Sequence, residues 1–150
     1  MKISTRTRYG IRAMAEIASE TTGKGVYQKD IAKRQSISLK YLDSIIHGLK
    51  SANLIVNSKG KKSGYILTRD PKDITMLDIH EAFENGICII ECLSPYVKCN
   101  RDATCNAKTF WNDLNTIITG YFQSITLQDI LEKKIIDLDA VHIPREALKC

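Results

Sequence analysis

The sequence predicts a mainly α-helical protein with one small β-hairpin, in which three helices and the hairpin fill the first half and a long helix dominates the second. Apolar residues recur at intervals of three and four over most of the chain, which is typical of helices that bury one face. Two short apolar runs, 54–56 and 65–67, flank a loop rich in glycine and lysine, which is typical of a hairpin. At 150 residues the chain is long enough to bury one core and too short for two large independent domains.

Two helices are predicted before residue 36. The first runs roughly from Thr7 to Ser19, with Ser4 or Thr5 available as its N-cap, and a turn rich in glycine and threonine ends it. The second is short and runs from Gln28 to Gln35.

The third helix follows a connection of three residues and is capped by Ser38. Its buried face is predicted to carry Leu42, Ile45, Ile46 and Leu49. Two helices joined by a tight turn and followed by a hairpin, or wing, are typical of DNA-binding modules. Residues 1–70 are therefore predicted to form a winged helix-turn-helix domain.

A domain boundary is predicted at Asp70-Pro71, so that residues 71–150 form a second unit. A fourth helix extends from Thr75 through Glu84, with Asp78 and Thr75 spaced as in a capping box. Residues 86–107 then lose helical periodicity and are predicted to be a loop.

The long helix that follows has an apolar stripe wider than one small core covers, so a second copy of the chain is expected to pack on it. The stripe consists of Phe110, Trp111, Leu114, Ile117, Ile118, Tyr121 and Phe122. Thr126 with Asp129 caps a last, shorter helix. The predicted architecture is a winged helix-turn-helix plus a long C-terminal dimerisation helix.

Charge is distributed unevenly along the chain. Residues 1–70 hold 14 Lys and Arg against 5 Asp and Glu, whereas residues 71–150 hold 8 against 12. A basic unit joined to a mildly acidic one indicates a module that binds a polyanion, attached to a second unit that does not. No stretch approaches the roughly 18 apolar residues of a membrane span, so a cytoplasmic protein without a membrane partner is expected.

The third helix and the wing are the predicted contacts with double-stranded DNA, because the major groove admits a rigid helix. Lys40 is expected to contact phosphate or guanine, Tyr41 to donate to phosphate, and Asp43 to accept from a cytosine amine. The wing lysines and the arginines that begin the first helix add phosphate contacts. The full set of expected contacts is Arg6, Arg8, Gln28, Ser38, Lys40, Tyr41, Asp43, Ser44, Lys59, Lys61 and Lys62.

Five cysteines are present, and four of them lie between residues 88 and 105. In a reducing compartment such crowding indicates a metal or redox site more than a disulfide framework. Three chemistries fit thiols in a loop near a helix end: an iron-sulfur cluster, a zinc ion, or a thiol-disulfide sensor. The histidines, by contrast, pair with no cysteine or carboxylate at a catalytic spacing, so an enzyme is not expected.

Several motifs together resemble a known family of bacterial regulators. They are the opening residues 1–5 with Arg8-Tyr9-Gly10, then Ile31-Ala32, 38–42, Leu54-Ile55 with 64–67, and Ile125-Thr126-Leu127. In this order they resemble the Rrf-two (Rrf2) family, and within it the iron-sulfur cluster regulators of the IscR type. The resemblance implies a homodimer whose long C-terminal helices pair, and a roughly palindromic operator contacted by the third helix and the wing.

The same resemblance implies that Cys92, Cys99 and Cys105 hold an iron-sulfur cluster. Where the cluster regulators have a histidine that completes a [2Fe-2S] site, this chain has Lys108. Where related nitric oxide sensors use an aspartate of the partner for a [4Fe-4S] cluster, it has Arg8. The cluster type is therefore open, and the candidates for the fourth ligand are Cys88, Glu91, Asp102 and Cys150. Cys88, close to the end of the fourth helix, is otherwise expected to be a buried structural thiol.

The sequence thus favours a sequence-specific transcriptional regulator, a repressor, whose operator affinity depends on an iron-sulfur cluster. Two alternatives keep the same fold and replace the cluster with thiol-redox chemistry or with zinc. A third, an electron-transfer protein, does not require the basic wing, and the chain has no nucleotide-binding glycine motif.

Overall fold

The computed structural model describes residues 3–59 and 63–134, and it confirms a mainly helical fold with one small antiparallel sheet. The helices and strands of these residues are α1 (Thr5–Ala18), α2 (Gln28–Gln35), α3 (Leu39–Ser51), β1 (Ile55–Asn57), β2 (Tyr65–Leu67), α4 (Met76–Glu81), α5 (Lys108–Ser124) and α6 (Leu127–Glu132). Short 3-10 turns occupy Pro71–Asp73 and Glu91–Leu93. Within the described part of the chain, no helix is long and apolar enough to cross a membrane.

Side-chain caps fix where several helices begin. The Ser4 hydroxyl accepts a hydrogen bond from the Thr7 amide at 3.2 Å, so α1 starts at Thr5, two residues before the predicted start. Ser38 caps α3 in the same way, as predicted. Both predicted capping boxes are present: Thr75 with Asp78, and Thr126 with Asp129.

The hairpin lies where the sequence predicted it. β1 and β2 pair antiparallel, with Asn57 opposite Tyr65. β1 starts one residue later than predicted, because the Leu54 amide bonds back to the Leu49 carbonyl of α3 at 3.0 Å and not to β2. Val26, which precedes α2, forms an isolated bridge to Tyr65 and ties the base of the wing to the helical part.

One hydrophobic cluster joins the two halves of the chain. α1 packs against α2, α3, α4, α6 and β2. Met14 of α1, Leu42 of α3, Ile79 of α4 and Leu127 of α6 are all fully buried in this cluster. Elements on both sides of Asp70-Pro71 therefore share a core, and the division of the chain at that point remains a prediction.

α4 is shorter than predicted. It ends at Glu81 rather than Glu84, because the Phe83 amide donates to the His80 carbonyl at 3.0 Å, three residues back instead of four, and the chain turns there. Residues 86–107, which link α4 to α5, are non-helical as predicted, apart from one 3-10 turn. We call them the cysteine segment.

Candidate DNA-binding face and cysteine segment

α3 has one buried and one exposed face. The buried face packs into the core through the four apolar residues predicted for it. The exposed face carries Lys40, Asp43, Ser44 and His47. With Arg6 of α1, it lines a groove of about 530 Å³, to whose walls Gly48, Ala82 and Phe83 also contribute. The fold therefore places three expected DNA contacts of α3 beside one of α1, and His47, which the helical spacing also puts on this face, lies with them.

Asp43 is held in place by a chain of hydrogen bonds from the wing. The Tyr65 hydroxyl of β2 donates to Gln28 Oε1 at 3.2 Å, and Gln28 Nε2 donates to Asp43 Oδ1 at 3.0 Å. Burial raises the pKa of Tyr65, and the nearby Asp43 charge adds to the shift. The wing, α2 and α3 are thus joined through polar side chains on the face predicted to meet DNA.

The other expected contacts at the start of α3 are partly engaged within the protein. The Ser38 hydroxyl caps the helix, and the Ser44 hydroxyl donates to the Tyr41 carbonyl at 2.7 Å. The Tyr41 ring is half-buried and packs edge to face on Tyr9, with ring centroids 5.6 Å apart. Tyr41 therefore has a packing role in addition to its expected phosphate contact.

The remaining basic residues expected at DNA lie on α1 and the wing. Arg6 and Arg8 are exposed on the first turns of α1, and Lys59 is exposed at the end of the described part of the wing. Lys61 and Lys62 lie outside the described residues.

The fold brings the three predicted cysteines to one place. Cys92, Cys99 and Cys105 line a small cavity together with Asp102, Lys108 and Trp111 at the first turns of α5. A larger neighbouring cavity, of about 570 Å³, is also lined by Cys92, Cys99, Asp102 and Lys108. Among the described residues, no three His, Cys, Asp or Glu side chains stand close enough to hold a single metal ion.

Lys108 faces these thiols from the start of α5. Its Nζ lies 2.5 Å from Asp102 Oδ1. The hydrogen bond to Asp102 raises the pKa of Lys108, and the charges of Asp102, Cys105 and Cys99 raise it further. The residue that stands where the resembling regulators have histidine is thus a cation paired with a neighbouring carboxylate.

Cys88 lies apart from the other three cysteines of this region. It lines a different cavity, with Ser4, His80 and Glu84. Its side chain is exposed, and its Sγ donates to the Ile90 carbonyl at 3.1 Å. The expectation of a buried structural thiol is therefore wrong, because residues 86–88 follow the turn that ends α4 and the Cys88 side chain lies at the surface. Cys150 lies outside the described residues.

His80 is a buried polar residue that sequence reasoning left without a role. Its Nδ1 lies 3.1 Å from the Thr7 hydroxyl of α1, and its Nε2 lies 3.1 Å from the Gly86 carbonyl. Because a carbonyl can only accept, Nε2 carries a proton and donates it to Gly86, while Nδ1 shares a hydrogen bond with the Thr7 hydroxyl. Thr7 is 73 positions away, a distance at which no spacing pattern indicates a pair.

A winged helix-turn-helix with an exposed basic face and a grouped set of thiols defines a DNA-binding regulator. A family model, Rrf2, described as an iron-dependent transcriptional regulator, matches residues 3–133. The chain therefore belongs to the Rrf2 family, as the motif order implied, and it is a transcriptional regulator and not an enzyme.

Individual relatives agree with this assignment. The protein named rrf2 from Nitratidesulfovibrio vulgaris is 35% identical over 147 residues, which cover 98% of this chain and 94% of that protein. The solved structure of T. potens IscR matches with a TM-score of 0.70 at 29% identity, covering 95% of this chain and 97% of that one. The structure of CymR, the global cysteine regulator of B. subtilis, matches with a TM-score of 0.72 at 28% identity, covering 90% of this chain and 99% of that one.

Proposed function

We propose that this protein is a homodimeric repressor that binds an operator in double-stranded DNA, and that a cluster held by Cys92, Cys99 and Cys105 controls its affinity for that operator. The single observation that carries the proposal is the convergence of these three thiols on one cavity in a chain whose other end is a winged helix-turn-helix. Residues 1–70 would supply the DNA contacts, and residues 71–150 the sensor and the dimer contact.

DNA binding is supported by the exposed face of α3 and its groove. Lys40 and Arg6 lie on the same groove, where they can meet phosphates on either side of an inserted helix. We expect Lys40→Ala to weaken binding to all duplexes and to lower the slope of log affinity against log salt by about one. Lys72→Ala, which removes an exposed lysine paired with Asp70, is the matched control and should leave the slope unchanged. Equal salt slopes for the two variants would show that Lys40 of α3 does not contact the DNA.

The donor set fits an iron-sulfur cluster. Thiolates in an irregular segment beside a helix start are the usual ligands of such clusters, and a cluster spans thiols that stand too far apart for one ion. When bound, the cluster would link residues 92 to 105, and this link would depend on iron supply and be sensitive to oxidants. The chain's own part is to bring the three thiols together and to hold Asp102 beside them.

Asp102 is the fourth ligand that the structure favours. It lines both cavities that Cys92 and Cys99 line, and Lys108 holds its carboxylate there. Cys88 belongs to another cavity, and Glu91 lines neither of the two cysteine cavities. Asp102 is therefore the carboxylate best placed to complete the shell.

Reconstitution under anaerobic conditions tests the cluster and its fourth ligand. Wild-type protein should gain visible absorption with matching iron and sulfide counts, and Asp102→Asn should shift that spectrum and shorten the lifetime of the cluster. Asp113→Asn, the same change at an exposed residue of α5, is the control. An unchanged Asp102→Asn spectrum together with a changed Cys88→Ser spectrum would assign the ligand to Cys88 instead.

A thiol sensor is the second candidate, favoured by the structural similarity to CymR, the global cysteine regulator of B. subtilis, and by the exposure of Cys92. It predicts no iron or sulfide after reconstitution and the loss of two titratable thiols after mild oxidation. A zinc site would instead give colourless protein with stoichiometric metal.

The dimer is supported by apolar surface left uncovered on α5. Phe110 is 59% exposed and Ile117 is 46% exposed, which is unusual for large apolar side chains on one helix. Ile117→Glu should give monomers in sedimentation and weaken operator binding, whereas Gln123→Glu on the same helix should not. A wild-type protein that sediments as a monomer at micromolar concentration would contradict the proposal.

A further inference from the structure

The Phe83 ring lies between α1 and α3 at a glycine in each helix. A Cβ placed on Gly10 of α1 would stand 2.4 Å from Phe83 Cε2, and one placed on Gly48 of α3 would stand 2.6 Å from Phe83 Cε1. Both distances are well below van der Waals contact, so any larger residue at either position would displace the ring. The ring thus sets how closely α1 and α3 approach each other.

The same ring reaches the DNA-binding face. Phe83 is one of the residues that line the groove shared by Arg6, Lys40 and His47. A movement of the ring would therefore change the separation of Arg6 on α1 from Lys40 on α3. These are the two basic groups whose spacing must match a duplex.

His80, three residues before Phe83, ties this turn to the cysteine segment. Its Nε2 donates to the carbonyl of Gly86, the first residue of that segment, while its Nδ1 is hydrogen-bonded to the Thr7 hydroxyl of α1. Phe122 of α5 packs edge to face on the imidazole, with ring centroids 5.6 Å apart. The turn after α4 thus contacts the cysteine segment at one end and the DNA-binding helices at the other.

We propose that Phe83 is a positioning residue for DNA recognition, and that His80 and Phe83 together transmit the state of the cysteine segment to α3. A pull on Gly86 moves His80 and, through the rigid turn, the Phe83 ring between the two glycines. Because packed interiors shift between discrete arrangements rather than compress, a small displacement there changes how α3 is presented. The inference rests on the proposed function only in taking the cysteine segment as the place where a signal acts.

The first test compares operator affinity between the cluster-loaded and stripped forms, with a duplex selected from a randomised pool. The wild type should show a ratio of about fivefold or more. Phe83→Leu, which cannot fill both glycine sites, should bring that ratio close to one. A folded Phe83→Leu variant that keeps the wild-type ratio would show that the ring has a structural role alone and would overturn the proposal.

Two substitutions of His80 separate its contacts. Gln at this position can keep the donor to the Gly86 carbonyl, whereas Asn can keep the contact with Thr7. His80→Asn should therefore bring the ratio of operator affinities between the loaded and stripped forms close to one. His80→Gln should retain much of the wild-type ratio. If both variants lose the affinity ratio to the same extent, in proportion to their lowered stability, the proposed role of His80 in transmitting the signal is contradicted.

A second measurement does not depend on what the cysteines hold. Coupling between the cysteine segment and the DNA-binding face is reciprocal. Binding of the selected duplex to wild-type protein without a cluster should therefore alter the hydrogen exchange of the amides at residues 86–89. Phe83→Leu should abolish that change while keeping protection within α3 itself. If the wild type shows no change at 86–89, the proposal fails even where the cluster is confirmed. If the change is seen but loaded and stripped forms bind alike, it is the cluster control that fails.

Discussion

The DNA-binding helices and the cysteine segment are held together in different ways. α1, α2 and α3 each bury apolar side chains in the shared core, and serine caps fix the starts of α1 and α3. In the cysteine segment only Ile89 and Leu93 are buried. Since apolar burial is the main stabilising term, the helices keep their geometry unaided, whereas the segment has little to hold one conformation. The part of the molecule proposed to contact DNA is thus held by the core, and the part that carries the thiols has few buried contacts to hold it.

Polar contacts connect the start of the cysteine segment to α4 and α5. The Ile89 amide donates to Asn115 Oδ1 of α5 at 3.0 Å, and Asn115 is itself buried. The Gly86 carbonyl accepts from His80. A ligand that draws Cys92, Cys99 and Cys105 together therefore acts on a segment whose start is tied to the helical framework, which is what a sensor requires.

The largest effect expected from this comparison is the loss of the bound group without loss of the fold. Any of Cys92→Ser, Cys99→Ser or Cys105→Ser should abolish visible absorption and iron uptake together, because a cluster needs all three thiolates. The free energy of unfolding of metal-free protein should change little, since the side chains are exposed or half-buried. Absorption spectra and urea unfolding of the same preparations measure both. A cysteine variant that unfolds the stripped protein would show that the segment is more rigid than the structure indicates.

The next largest effect is the difference in stability lost when a buried leucine in each region is replaced by alanine. Leu42→Ala removes a fully buried side chain of α3 and should lower the free energy of unfolding by about 3 kcal/mol. Leu93→Ala should cost about 2 kcal/mol, at the low end for a buried leucine, because the surrounding segment can close over the missing atoms. Urea unfolding of metal-free protein gives both values. Equal losses would mean that the cysteine segment belongs to the same cooperative core.

The sequence predicted the local features well and the long-range contacts poorly, for a physical reason. Caps such as Ser38 and the pair Thr126 with Asp129 act within one helical turn, so their spacing is visible in the chain. The contact of His80 with Thr7 and the position of Phe83 between two glycines depend on how helices cross, which no local pattern encodes. The early end of α4, which precedes the exposed Cys88, was also missed.

The candidate site divides in the same way. The motif order indicated which three cysteines belong together, and the fold places them on one cavity. Nothing in their spacing separated Asp102 from Cys88 as a further ligand, because that choice depends on where the cysteine segment turns. On α3, the face opposite the apolar residues was predictable from periodicity, whereas the engagement of Asp43 by Gln28 was not.

Alanine at the two glycines that contact Phe83 should have a smaller but specific effect. Gly48→Ala places a Cβ 2.6 Å from the Phe83 ring and 3.3 Å from the Ala82 carbonyl, and should cost about 1 to 3 kcal/mol of stability. Gly120→Ala, on α5 with nothing within 4 Å, is the matched control and should stabilise the helix by up to about 1 kcal/mol. Pairing Gly48→Ala with Phe83→Leu should recover part of the loss, as a double-mutant cycle would show. Additive losses would mean that the two side chains do not compete for the same space.

The smallest expected effect concerns the cap of α6 and its dependence on pH. Asp129 accepts hydrogen bonds from the Thr126 hydroxyl and amide, and these bonds hold the pKa of Asp129 below its ordinary value of 3.8. Because the folded-state pKa is the lower one, the stabilisation is fully present above about pH 4 and is lost as the pH falls through the folded-state pKa. Thr126→Ala should cost about 1 kcal/mol at neutral pH. Asp129→Asn should be less stable than the wild type at pH 6, and the difference should narrow as the pH is lowered below 3.8, because the protonated carboxyl then resembles the amide. Urea unfolding of metal-free protein across this range gives the difference directly, and a gap that stays constant with pH would show that the charge of Asp129 does not stabilise the cap.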